Sequence, residues 1–104
     1  MIEVQSLRNN YRTKGNKMNN YKTEILKKIC YTELVYKRIN KKLNKQFSKE
    51  VIEKMIYDTL NETDESQFQK TGKNIYITNY QRKIRITVNS YTNRIITVDD
   101  MDKI

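Results

Sequence analysis

A chain of 104 residues with no histidine and a single cysteine has no imidazole for acid–base work near neutral pH, no zinc-type ligand set and no internal disulfide. Its formal charge of +9, from 21 Lys+Arg against 12 Asp+Glu, favours polyanionic partners. No apolar run approaches the ~20 residues of a membrane span.

The charge is uneven along the chain. Residues 1–47 hold twelve cations and three acids, residues 48–70 three and six, and residues 71–104 six and three. A basic N-terminal half beside an acidic helix gives a one-sided positive field. Nucleic acid or a nucleoprotein complex is the expected partner, with no membrane, no metal and no small-molecule cofactor. With one cysteine and no apolar leader in residues 1–20, a cytoplasmic location is expected.

Residues 1–19 are polar, basic and without periodicity from Arg8 to Lys17, which predicts a flexible basic N-terminal arm able to track phosphates. Met18 reads as a candidate alternative translation start. Residues 20–104 are then a single compact domain, large enough for one small core.

Residues 21–44 have helical periodicity. Ile25, Ile29, Tyr36, Ile39 and Leu43 share one stripe; Leu26, Cys30 and Leu34 share a neighbouring one. Two stripes predict either a helix buried over more than half its circumference, or a break near Thr32, which would cap a second piece. Cys30 reads as a small buried hydrophobe rather than a reactive thiol. The remaining face carries Lys27, Lys28, Lys37, Arg38, Lys41, Lys42 and Lys45, a solvated face or a polyanion contact.

Residues 48–62 give the clearest helix. Ser48 is the N-cap and Glu50 sits in the first turn. Phe47 and Ile52 are placed for a hydrophobic staple. Val51, Ile52, Met55, Ile56 and Leu60 form the apolar stripe. Residues 61–66 leave the helix as an acidic loop, with Phe68 as a satellite core residue beneath it.

After Gly72 the period changes to two. Residues 74–79 and 84–89 alternate as strands, residues 94–98 are a third, β-branched run, and the segments 80–83 and 90–93 have hairpin length. The expected fold class is therefore α+β: two principal helices, the first possibly broken, on one face of a three-stranded antiparallel meander. Asp99, Asp100 and Asp102 form a short acidic tail, read as solvated rather than as a cation site.

If Ile75, Ile77, Ile84, Ile86, Val88, Ile96 and Val98 face the helices, the opposite sheet face carries Tyr76, Thr78, Arg85, Thr87, Asn89 and Thr97. Guanidinium binds phosphate and an aromatic ring stacks on bases. The candidate nucleic-acid-binding residues are thus Lys27, Lys28, Lys37, Arg38, Lys41, Lys42, Tyr76, Arg85, Asn89 and Arg94; no catalytic residue is assigned. The rival reading is a metal-independent ribonuclease toxin, with Arg85 or Arg94 stabilising the phosphorane and Tyr76 or Tyr91 relaying the proton, an analogy of layout only.

The segments Ile25–Leu43, Gly72–Asn79, Ile84–Ser90 and Thr92–Val98 resemble an uncharacterised bacterial family, domain of unknown function 3781, over residues 20–104. The resemblance implies a small compact domain of low-GC bacteria and their mobile elements. Its polar motif residues Asn89, Thr92, Arg94 and Thr97 suit a tight turn or a site. A mobile-element or phage setting adds a third reading, an anti-CRISPR-like inhibitor that binds a host nucleoprotein defence complex.

Overall fold

The structure, a computed structural model, describes residues 21–103; the expected arm at 1–19 lies outside them. The described chain runs through three helices, α1 (Tyr21–Lys28), α2 (Glu33–Leu43) and α3 (Lys49–Glu62). Four strands follow, β1 (Phe68–Thr71), β2 (Asn74–Asn79), β3 (Ile84–Asn89) and β4 (Ile95–Asp100). They form one antiparallel sheet in the order β1-β2-β3-β4. The α+β class stands, with one helix and one strand more than the sequence pattern predicts.

The extra helix comes from the break. After Lys28 the backbone stops coiling and pairs with the start of β4. Cys30 N–H donates to Asn93 O at 3.1 Å, and Ile95 N–H donates to Cys30 O at 3.0 Å. Tertiary hydrogen bonding here overrides local helix propensity. The break exposes Cys30 and leaves Leu34 71% exposed, so of the second apolar stripe only Leu26 packs against the core. Thr32 does stand at the N-cap of α2, but its hydroxyl makes no capping bond.

The turn between α2 and α3 is held by a side chain that imitates backbone. Asn40 Nδ2 donates to Phe47 O at 3.0 Å, and Phe47 N–H donates to Asn40 Oδ1 at 2.9 Å. Asn44 closes α2 in the left-handed conformation, φ 57°, a common helix ending. Ser48 caps α3 as expected, accepting from Val51 N–H at 3.2 Å. Val35 and Ile39 of α2, and Ile52, Ile56, Thr59 and Leu60 of α3, are buried. Val51 of the expected stripe is exposed instead.

Phe68, expected under a loop, is the buried first residue of β1. This strand has one inward apolar side chain and no alternation to betray it. It pairs Thr71 with Asn74 around a two-residue turn. Gly72 takes φ +63° at the first central position, where hairpin turns favour glycine.

In β4 the pairing shifts between Thr87 and Val88: Thr87 faces Thr97, but Val88 faces Ile95. Ile96 is therefore the extra residue of a β-bulge. Ile95 and Val98 are buried and Ile96 is not, which corrects the expectation that Ile96 faces the helices.

A polar node joins the elements at one end of the core. Asn79, 5% exposed, donates to Thr63 Oγ1 at 2.9 Å and accepts from Arg82 N–H at 2.7 Å. Thr63 donates its hydroxyl to Thr59 O at 2.5 Å, and Lys22 Nζ donates to Thr63 O at 2.7 Å. α1, the end of α3, β2 and its following turn thus share one network. Asn79→Ala strips the turn of its acceptor and Thr63 of its donor. It should cost about 1–3 kcal/mol in urea unfolding, while Tyr80→Ala, at an exposed neighbour, should cost far less.

Candidate nucleic-acid interface

The helices cover the sheet face bearing Ile75, Ile77, Ile84, Ile86, Val88, Ile95 and Val98. The strand register lays the other face out in rows. Gln69, Tyr76, Thr87 and Thr97 lie side by side, and so do Thr78, Arg85 and Asp99. The face is less open than alternation alone suggests: Tyr76, Arg85 and Thr97 are half-buried and Thr87 is buried. The Arg85 guanidinium lies over the Tyr76 ring, 5.6 Å from its centroid. Arg85 Nε and Thr97 Oγ1 are buried with no hydrogen-bond partner among the described residues.

Asn89 belongs to the scaffold. Its Oδ1 accepts from Tyr91 N–H at 2.8 Å and Thr92 N–H at 3.1 Å, and Asn93 closes the hairpin at φ 58°. Of the tight turn and the site offered by the sequence for this residue, the structure shows the turn. The preceding hairpin repeats the device, with Asn79 accepting from Arg82 and Lys83 at φ 56°. Arg94 sits at the strand bridge with Cys30, with its side chain exposed, and Tyr91 is exposed beside it.

The helix cations divide into two groups. Arg38 and Lys42, one turn apart, reach the edge of β4. Arg38 Nη1 donates to Ile96 O at 3.1 Å, and Lys42 Nζ pairs with Asp99 Oδ1 at 2.9 Å. Lys37 and Lys41 are also one turn apart. They are exposed and make no ion pair among the described residues. Lys28 pairs with Glu24 at 3.2 Å, an exposed contact of little energetic weight, and Lys27 is exposed.

Helix and sheet surfaces meet at the Lys42–Asp99 pair. A cleft of about 370 Å³ there is lined by Lys42, Arg85, Asp99, Asp100 and Lys103. A second, of about 260 Å³, begins on the other side of Arg85 and includes Tyr76, Thr78 and Tyr80. Arg85 is the shared wall. The acids do not gather into a cation site: no metal-binding group occurs among the described residues, and Asp100 Oδ1 is engaged by Asp102 N–H at 2.9 Å. Nor is any helix among them long and apolar enough to cross a membrane.

The family model for DUF3781, a protein of unknown function, matches residues 23–99. The chain belongs to that family. No curated protein and no solved structure matches it. The DUF3781 segment takes in α1 from its third residue, the whole of α2 and α3 and nearly the whole sheet, so both halves of the candidate interface lie within it.

Away from this interface, two tyrosines have unusual surroundings. Tyr31 and Tyr36 stack at 5.5 Å with an 18° interplanar angle, and Tyr36 donates to Glu53 Oε2 at 2.6 Å. Desolvation, then that hydrogen bond and the charge of Glu53, push the Tyr36 phenol up to about 12. Desolvation first and then Glu53 raise Tyr31 further still. A raised phenol stabilises the fold below its ordinary value of 10.0, and this contribution is lost as pH rises through the folded value. Ultraviolet titration of the eight tyrosines should therefore show a late-ionising component, accompanied by loss of structure. Tyr31→Phe/Tyr36→Phe should remove that component.

Proposed function

We propose that this protein binds single-stranded nucleic acid, free or within a nucleoprotein, without itself being an enzyme. The observation that carries the reading is the contiguity of the α2 cations with the outer sheet face through the cleft at Lys42 and Arg85. Lys37 and Lys41 supply charge that no acid among the described residues pairs with. Arg85, which lines both clefts, supplies a guanidinium whose natural complement is a phosphate oxygen. Tyr76 supplies a ring on which a base stacks, with the guanidinium beside it. Charge then sets affinity, and the sheet sets base preference. Among the candidate residues, Asn89 takes no direct part, because its side-chain acceptor already serves its turn.

Titration of the full chain with labelled single-stranded RNA and DNA across a salt series tests this. Neutralisation of about four phosphates gives a slope near −3 in log K against log salt. Lys37→Glu/Lys41→Glu should reduce affinity for all sequences about tenfold and flatten the slope by at least ~1. That pair is preferred over Arg38 or Lys42, whose substitution also detaches α2 from β4. Tyr76→Ala should cost about 1–3 kcal/mol and change base preference. Absence of binding at ~50 mM salt would reject the reading.

The adjacency of Tyr76 and Arg85 also favours, as a second reading, the ribonuclease alternative centred on that pair. It predicts RNA cleavage that Tyr76→Phe abolishes; RNA that stays intact during the same titrations would dismiss it.

A further inference from the structure

A further cleft on the described surface shares no lining residue with the interface above. It has a volume of about 670 Å³ and lies between the chain at Ile29 and Tyr31 and one face of α3. α3 contributes Glu50, Glu53, Lys54, Tyr57 and Asp58. The spacing of Glu50, Glu53 and Tyr57 sets them on one stripe of the helix. Three carboxylates face one ammonium, and Lys54 is already tied to Asp58 at 2.8 Å. Glu50 has no ion-pair partner among the described residues. In a protein of net charge +9, this is a local negative surface.

The walls are aromatic as well as acidic. Tyr57 is 47% exposed. Tyr31 is half-buried, its ring stacked on Tyr36. The cluster already holds one cation: Lys49 Nζ lies 5.2 Å from the Tyr36 centroid while pairing with Glu33 at 3.0 Å. Carboxylates beside tyrosine rings recognise cations, guanidinium best, because its flat face stacks while its N–H groups bind oxygen.

We propose that this cleft is a docking site for an arginine-rich segment of a partner protein. The size favours a peptide over a single amine, since the volume exceeds one side chain several-fold. Along α3, Glu50 to Tyr57 spans about 10 Å at ~1.5 Å per residue. An extended peptide covers that distance in about three residues, so successive arginines on one side of a strand meet successive groups of the helix stripe. Arginine-rich segments are the protein component of many nucleic-acid complexes, so a chain with both surfaces would engage both components of one assembly. The site stands whether or not the nucleic-acid reading holds.

The test is fluorescence anisotropy of a labelled nona-arginine peptide against the full chain at low salt, with a nona-glutamate peptide as control. Saturable binding of the cationic peptide by a protein of the same sign of charge is expected, weakening as salt rises. Glu50→Lys/Tyr57→Ala, both at exposed positions, should weaken it about tenfold with the circular-dichroism spectrum unchanged. Glu50→Gln alone should give a smaller loss, and serves if the double variant does not fold. Lys37→Glu/Lys41→Glu should leave the peptide site intact and bind at least as well as the parent. No binding by the parent, or undiminished binding by folded cleft variants, overturns the proposal. Loss of nucleic-acid binding in the Lys37/Lys41 variant with peptide binding retained would separate the two surfaces.

Discussion

One extra residue in β4 decides how the helices meet the sheet. Because Ile96 is bulged, Ile95 and Val98 both turn inward although they are three apart. The bulge leaves the Ile96 carbonyl off the β3 ladder, and Arg38 takes it. That bond, with the Cys30 bridge beside it and the Lys42–Asp99 pair beyond it, fixes α2 along the edge of β4. An open edge would invite pairing with another chain; here it is covered along its length. The remaining edge, β1, is only four residues long and carries Gln69 and Lys70, a polar and short rim that discourages the same error.

The helices and the three longer strands were legible because burial imposes a period. Ile52, Ile56 and Leu60 keep the period of a helix, and Ile75 and Ile77 that of a strand. What escaped the pattern depends on hydrogen bonds between distant backbone groups, which leave no mark on hydrophobic spacing. The pairing of Cys30 with residues 93–95 decides between the two readings that the helical stripes left open, one continuous helix or a break near Thr32. The bulge at Ile96 hides in Ile95-Ile96, where both residues are equally apolar and either could face the core. β1 is announced by Phe68 alone.

The candidate site was legible by residue type but not by role. Tyr76 and Arg85 fall on the outer face, as alternation requires, and they touch. Arg38 and Lys42 look identical to Lys37 and Lys41 in the sequence, since all four lie on the polar side of one helix. Only the position of β4 separates them, making one pair fasteners and leaving the other without an ion pair among the described residues. Asn89 was ambiguous for a chemical reason: the same amide oxygen that would read a base can equally close a turn. The hairpin settles this by supplying two N–H donors at once.

The turn between α2 and α3 keeps the basic and acidic surfaces from cancelling each other. Acidic α3 and basic α2 are consecutive in the chain and would attract one another if free to rearrange. The Asn40 amide holds the intervening turn at Phe47, and Ser48 fixes the start of α3. Only Lys49–Glu33 then bridges the two helices among the described ion pairs. Glu50 and Tyr57 on one side, and Lys37 and Lys41 on the other, keep their groups toward solvent. Holding them apart leaves a basic and an acidic surface on one small domain, each open to a partner of the opposite sign.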